Sequence, residues 1–397
     1  MNKPVKQHLI DPEICIRCYT CENTCPIEAI THNDDNVVVD FARCDFCMDC
    51  IPVCPTGSID EWRVVEAPYS LEEQFEWMEL PAQQEFEAGA SEQSTGLEAL
   101  DDEIAKLLAE AHAGAGGMAK APHSASKPSI NLYSASKPAE LTVQGNYRLT
   151  NDPHHDVRHI ILDAGNLPFP VLEGQSVGVI TPGSDSEGKA HLPRLYSISS
   201  PRDGERPNFN NFSLTVKREN KGVCSNYVCD LKPGDTVKVT GPFGSTFLMP
   251  NDPEAKLLMI CTGTGSAPMR AFTMNRQRTC PDAKYSMTLF FGARTPESLP
   301  YFGPLNKLPE SMLKKHLVFS REEGKPKRYV QDELRNLEDE LMAMLQDPKT
   351  HIYVCGLRAM EEGIEAAFTT ITESMGQQWA ALRDIMREEG RYHVETY

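Results

Sequence analysis

The chain has 397 residues, 40% of them hydrophobic and 24% charged, with a formal net charge of −18. That acidity argues against nucleic acid and anionic membrane surfaces as partners, and it favours a partner with a basic docking patch. No apolar run approaches the roughly 18 residues needed to span a bilayer, and no leader pattern opens the sequence, so a cytoplasmic protein of two or three domains is expected.

Eight of the thirteen cysteines fall in the first sixty residues. Cys15, Cys18, Cys21 and Cys25 precede Pro26; Cys44, Cys47, Cys50 and Cys54 precede Pro55. This is C-x2-C-x2-C-x3-C-P twice, the spacing that ligates a pair of 4Fe-4S clusters and points to one-electron chemistry. Thiolates at i, i+3 and i+6 wrap one face of a cubane, while the fourth is too distant and reaches the other cluster. One cluster is therefore expected on Cys15, Cys18, Cys21 and Cys54, and the second on Cys44, Cys47, Cys50 and Cys25. A disulfide or zinc framework is the competing reading, but paired zinc knuckles need neither a third cysteine at i+6 nor a proline after the last ligand. With Asn36-Val-Val-Val-Asp40 between the two motifs, residues 8 to 65 resemble the bacterial two-cluster ferredoxin. That resemblance implies low-potential clusters and a strong upstream donor.

Residues 66–140 read as a linker. Its first part, to about 95, is acidic with scattered aromatics (Phe75, Trp77, Phe86) and is expected to be partly ordered at best. A short helix follows: Thr95-Gly96-Leu97-Glu98 offers a capping box, and Leu97, Leu100, Ile104, Leu107, Leu108 and Ala111 share one face. That face either docks on the protein's own surface or binds a partner. From Ala113 to Ala139 the composition turns to Ala, Gly, Ser, Lys and Pro, with SASKP at Ser124 and again at Ser134. Such a stretch is expected to be a flexible or semi-extended tether.

From 141 to 250, short runs such as Gln175–Ile180, Phe212–Val216 and Thr236–Thr240 are broken by Pro and Gly turns, which predicts an antiparallel β-barrel. From 251 to 397, strands at Leu257–Ile260, Ser286–Phe291, Leu317–Ser320 and His351–Val354 alternate with helices, the pattern of a parallel sheet in an α/β domain. The fold expected is thus multi-domain, α+β then α/β.

Within the barrel, Arg194-Leu-Tyr196-Ser197 sets a cation, an aromatic and a hydroxyl along one strand. Arginine can neutralise a diphosphate, a tyrosine face can stack on a flavin, and a serine can hydrogen-bond to it, although an ordinary amphipathic strand reads the same way. Lys221-Gly222-Val223-Cys224-Ser225-Asn226 is a small-residue turn able to present backbone N–H groups to phosphate at a helix start. Cys261-Thr-Gly-Thr264-Gly265-Ser-Ala-Pro268 ends an apolar strand and opens a helix, where glycines let the backbone approach a pyrophosphate. Ser320-Arg321, then Lys327, Tyr329 and Gln331, suit a phosphate on an adenosine; a solvated charge cluster is the plainer reading.

These motifs, in this order, resemble the plant-type ferredoxin–NADP reductase family across about 141–397. The resemblance implies FAD contacts at Arg194, Tyr196, Ser197, Gly222, Val223, Cys224 and Ser225. It implies NADPH rather than NADH, held through Thr264, Gly265, Pro268, Ser320, Arg321, Lys327, Tyr329, Gln331, Gly356 and Leu357. Ser197, Cys355 and Glu395 would surround the nicotinamide, and Tyr397 would cover the flavin until displaced. One departure stands out: only Glu219, Asn220 and Lys221 separate Arg218 from Gly222, where the plant enzymes carry a longer loop whose tyrosine stacks on the FAD adenine.

The implied route runs from NADPH through FAD and two 4Fe-4S clusters to an external acceptor. The domain order resembles reductase components of the benzoyl-CoA 2,3-epoxygenase type, which serve aerobic aromatic degradation. This implies an oxygenase (epoxidase) subunit, itself di-iron, as the acceptor. A general NADPH–ferredoxin or flavodoxin oxidoreductase, and a non-catalytic electron-carrier subunit, are the alternatives.

Overall fold

The repeated cysteine motifs fold around a small apolar centre in this computed structural model, which describes residues 5–44, 49–51, 53–59, 61–65, 67–81, 98–114, 117–184, 188–207, 209–374 and 376–397. Strands β1 (Val5–Leu9) and β4 (Glu61–Val65) pair antiparallel, as do β2 (Ile30–His32) and β3 (Val37–Val39). The turn between β2 and β3 is made by Asn33, whose side-chain oxygen accepts from the amides of Asp35 (2.9 Å) and Asn36 (2.6 Å). Helix α1 (Thr20–Thr24) carries the end of the first cysteine motif.

This domain does not stop at 65. Helix α2 (Leu71–Phe75) begins with a Ser70–Glu73 capping box, and its buried Gln74 exchanges hydrogen bonds with the Val39 backbone at 3.2 and 3.1 Å. Asn36 donates to the Trp77 carbonyl (2.6 Å). Residues 67–77, which composition alone assigns to a partly ordered linker, thus belong to the cluster domain; polar side-chain bonds hold them there rather than an apolar stripe.

Helix α3 (Glu98–Ala113) is observed, while its expected cap at Thr95, Gly96 and Leu97 lies outside the described residues. It docks on the chain's own surface, alongside the last strand of the parallel sheet. The stretch after it is pinned rather than free. Lys120 N–H donates to Arg387 O (3.1 Å), Asn251 N–H to Ser124 O (3.3 Å), and Arg202 Nη1 to Ser126 Oγ (2.6 Å). Gln175 Nε2 donates to Ser129 O (2.9 Å), and the Tyr133 amide to Gly241 O (3.0 Å). The tether expected between Ala113 and Ala139 is therefore corrected to a strap that crosses both following domains. Low apolar content does not prevent order when backbone groups and serine hydroxyls find partners.

The strap leads into β5 (Ala139–Arg148), β6 (Val157–Asp163), β7 (Ser176–Ile180), β8 (Arg194–Ser197), β9 (Asn211–Lys217), helix α4 (Val223–Asp230) and β10 (Thr236–Phe243). The sheet order is β8-β7-β10-β5-β6-β9, antiparallel throughout. An antiparallel bridge between Ile198 and Leu214 ties its two edges together, giving the barrel. β5 alternates buried and exposed residues, as a strand with one face on a core must.

The remainder comprises β11 (Lys256–Thr262), α5 (Ser266–Thr279), β12 (Met287–Ala293), α6 (Phe302–Asn306), β13 (Leu313–Phe319), α7 (Val330–Asn336), α8 (Glu338–Gln346), β14 (Thr350–Gly356), α9 (Arg358–Ser374), α10 (Trp379–Glu388) and β15 (Tyr392–Thr396). All five strands are parallel, in the order β13-β12-β11-β14-β15. β13 starts four residues before the run that its apolar residues predict, because Lys314, Lys315 and His316 interrupt the pattern on this edge strand. Among the described residues no helix is long and apolar enough to cross a membrane.

Candidate functional site

Barrel and parallel sheet meet around one cavity of about 1260 Å³. The carboxyl ends of the parallel strands open into it, where open α/β sheets place their ligands. Of the expected barrel contacts, Arg194, Tyr196, Ser197, Gly222, Val223, Cys224 and Ser225 all line this cavity. So do Thr264, Ser320, Arg321, Lys327, Tyr329, Gln331, Leu357, Glu395 and Tyr397 from the nucleotide half.

Local folding explains the convergence. Arg194 to Ser197 form β8, which pairs with β7 so that Ser197 faces Ser176 in register. Gly222 caps α4: a Cβ there would stand 2.4 Å from Ser225 Oγ, which itself accepts from the Glu219 amide (3.1 Å). The helix start thus turns tightly into the cavity, with its first amides unsatisfied by side-chain caps. At the other wall, Gly263 adopts φ +55, and a Cβ on Gly265 would lie 2.1 Å from the Cys355 carbonyl oxygen. Only glycine lets this loop close on β14 before α5 begins.

Glu395 stands at the junction. It is 6% exposed, and its Oε1 accepts from Ser197 Oγ (2.7 Å) and Ser176 Oγ (3.3 Å), while Oε2 is buried with no hydrogen-bond partner among the described residues. Tyr397 lies in the cavity, about half exposed, with its hydroxyl 2.7 Å from Thr264 Oγ1. Tyr196 donates to Cys224 Sγ (3.6 Å). Lys327 Nζ sits 5.1 Å over the Tyr329 ring, and Tyr329 leads into α7 with its amide donating to Asp332 (2.9 Å).

Four expected residues do not reach the cavity surface. Gly265 and Pro268 lie at the buried start of α5, and Gly356 is wedged against Thr262, whose Oγ1 a Cβ would approach to 2.5 Å. Cys355 pairs in register with Glu395 but is fully buried; burial, with the carboxylate of Glu395 behind it, pushes its thiol well above the ordinary range. These four shape the walls instead of touching the space. Conversely, sequence reasoning missed Ser176, Arg294, Arg358 and the α3 residues Leu107, Leu108, Glu110 and Ala111, all on the cavity wall. Arg358 follows the Val-Cys-Gly-Leu run and could have been drawn from it; the α3 residues carry no motif.

The cavity chemistry fits a flavin and a nicotinamide nucleotide: a tight glycine cradle at each of two helix starts, exposed cations, three tyrosine side chains and an orphaned buried carboxylate oxygen.

In the first domain, seven of the eight motif cysteines are described, and Cys15, Cys18, Cys21, Cys25 and Cys54 stand there as free thiols; Cys47 lies outside the described residues. Burial pushes Cys21 up to about 11, and the other charges acting on it are those of Cys54, Cys15 and Cys18, the set expected around one cluster. Donors point at several sulfurs: Ala29 N–H at Cys25 (3.2 Å), Thr20 Oγ1 at Cys18 (3.4 Å), with Ser58 Oγ beside Cys54 (3.3 Å). No three His, Cys, Asp or Glu side chains among the described residues are arranged to hold a metal ion. A cubane spreads its four ligands over separate iron corners, and the donor chemistry of soft thiolates in an apolar shell of Ile10, Ile30, Val37, Val39 and Ile59 suits it.

Comparison with known proteins agrees with this division. Residues 7–68 match the 4Fe-4S dicluster domain, 162–247 the oxidoreductase FAD-binding domain, and 259–366 the oxidoreductase NAD-binding domain. The chain is 41% identical over 261 residues to the cyanelle ferredoxin–NADP reductase of Cyanophora paradoxa, covering 61% of this chain and 71% of that protein. It is 38% identical over 290 residues to the ferredoxin–NADP reductase of Thermosynechococcus vestitus, covering 68% and 75%. Among solved structures, ferredoxin-NADP+ reductase from Plasmodium falciparum superposes with a TM-score of 0.55 at 27% identity, over 68% of this chain and 99% of that one.

Proposed function

The chain belongs to the ferredoxin–NADP reductase family, and from that premise we propose that it is an NADPH-driven reductase whose own 4Fe-4S domain carries electrons away from the flavin to an oxygenase partner. One observation carries this reading: the flavin-type motifs of the barrel and the nucleotide-type motifs of the parallel sheet line a single cavity.

When bound, FAD takes an electron pair from NADPH and gives electrons up singly, which matches what two 4Fe-4S clusters accept. The chain's residues supply the rest. Arg194 and the α4 amides hold the FAD phosphates, and Tyr196 provides a stacking face. The glycine loop and the Ser320–Arg321, Lys327 and Tyr329 group bind NADPH by its phosphates. Ser197 and Glu395, hydrogen-bonded to each other, orient the nicotinamide. Tyr397 excludes water until NADPH displaces it. Two clusters are assigned, one on Cys15, Cys18, Cys21 and Cys54 and one on Cys44, Cys47, Cys50 and Cys25.

For the acceptor we favour a di-iron epoxygenase subunit acting on benzoyl-CoA, supported by the order of the domains. The names of the relatives favour a second reading, a reductase serving ferredoxins. Purified epoxygenase subunit, ferredoxin and flavodoxin, offered in turn to the NADPH-reduced protein, separate them by rate. The route itself is tested by Cys18→Ser: NADPH-dependent dye reduction should be kept and reduction of the protein acceptor lost. Unchanged transfer to the acceptor by a cluster-deficient variant would defeat it.

A further inference from the structure

Helix α3 lies outside all three matched domains, which cover 7–68, 162–247 and 259–366, yet it forms one wall of the cofactor cavity. Leu107, Leu108, Glu110 and Ala111 line it, two successive turns of one helix. The helix is fixed in place. Ile104, one turn earlier, is 1% exposed, and the buried His112 ring stacks on Phe247 with centroids 6.3 Å apart. Arg387 Nη2 donates to the Ala113 carbonyl (3.4 Å). At Gly114 the chain leaves the helix with φ +51, through a gap where a Cβ would meet Arg387 Nη2 at 2.9 Å and Val394 Cβ at 3.0 Å.

Position decides which cofactor the helix faces. α3 packs beside β15, one edge of the parallel sheet, whereas Ser320 and Arg321 follow β13 at the opposite edge. The adenosine phosphate end of a dinucleotide is therefore remote from α3. What lies next to it is Glu395 on β15, and through Glu395 the barrel residues Ser197 and Ser176. Two observations call for a ligand on this wall: Leu107 lines the cavity yet remains 38% exposed on a helix that buried Ile104 and His112 hold in place, and Glu395 Oε2 is buried without a partner among the described residues. On the rim, Glu110 stands 3.7 Å from Arg358.

We propose that α3 is a flavin-binding wall: Leu107, Leu108 and Ala111 close the cavity against the apolar edge of the flavin ring, and the Glu110–Arg358 pair closes its rim. The segment that carries the cluster domain thereby shields the hydride-transfer centre from water, since an apolar wall raises the local strength of every polar contact inside it. The proposal rests on the assignment of this cavity to FAD.

The test uses the full-length holoenzyme with FAD bound and iodide as the probe of flavin fluorescence, alongside the fine structure of the flavin visible absorption, which sharpens in an apolar site. Leu107→Ser should raise the iodide quenching constant severalfold and blur the fine structure, Leu107→Met should restore both, and Glu110→Gln should raise quenching by less. Leu107 faces the cavity, so helix content by circular dichroism should stay constant across the series. Variants that retain flavin with quenching equal to the unaltered chain overturn the role of α3 alone. A chain that takes up no FAD overturns the cavity assignment and the proposal with it.

Discussion

Glu395 holds one oxygen against two serines and keeps the other buried and unpaired. An orphaned buried acceptor costs about 1–3 kcal/mol, so the site carries an unfavourable feature that a donor from a bound ligand would relieve. The carboxamide of a nicotinamide is such a donor. Glu395→Gln keeps the size and one acceptor but offers an amide N–H to the ligand, so the ring should lose its orientation. NADPH-driven flavin reduction, followed in single-turnover stopped flow, should slow by about 100-fold, the scale of a misplaced reactant, with FAD content unchanged. An undiminished rate would remove Glu395 from the hydride site. At this scale most of the site was legible in the sequence, because Arg194–Ser197, Gly222–Ser225 and Gly263–Gly265 are each contiguous and each sit where a strand or turn meets the cavity. What was not legible was burial. Cys355 reads like a neighbour of the substrate; it stands in register with Glu395, and its side chain is fully buried in the apolar cluster packed on the sheet.

At the scale of elements, β14 and β15 carry a pair of buried histidines that link stability to pH. Burial lowers His351 to about 4 and His393 to about 3, and each ring bonds the Gly390 carbonyl, at 3.1 and 2.8 Å. The folded chain therefore keeps both neutral below the ordinary histidine value of about 6.5, where the unfolded chain has already bound its protons. Stability is complete above about 6.5 and is lost as pH falls toward 4. Glu173, which burial raises but Arg202 pulls below its usual range, contributes only when pH falls below about 4.5. Thermal melts between about pH 6.5 and 4.5 thus read the buried histidines, to which His8, His159 and His316, also lowered by burial, contribute as well; His393→Gln should reduce the slope in that window, and an unchanged slope would place the acid sensitivity elsewhere. Elements themselves were largely legible, since the barrel and sheet strands announce themselves by local pattern. The docking of α3 and the strap was not. Their partners, Arg387, Asn251, Arg202 and Gly241, are distant in sequence, and the bonds that fix them are mostly to backbone, which composition does not record.

Over the whole molecule, charge is divided as sharply as the fold. Residues 1–113 hold 24 acidic and 6 basic side chains, while residues 114–397 hold 33 of each, so the entire net charge of −18 sits on the cluster domain and the segment up to the end of α3. The reductase half has no long-range preference of its own, and the domain that would meet an acceptor carries all of it. With α3 and the strap anchored on the two following domains, neither serves as a loose tether for the cluster domain. Its field then governs encounter with an acceptor, and an acceptor presenting a basic face would be drawn to it. The Debye length contracts from about 30 Å at 0.01 M salt to about 8 Å at 0.15 M, so the rate of acceptor reduction should fall by about tenfold or more over that range. Reduction of an uncharged dye at the flavin should hardly respond. Stopped-flow rates measured against salt for both oxidants supply the comparison. A rate that climbs with salt would mean that the acceptor is itself acidic at its docking face, and would turn the choice of partner away from one steered by this charge.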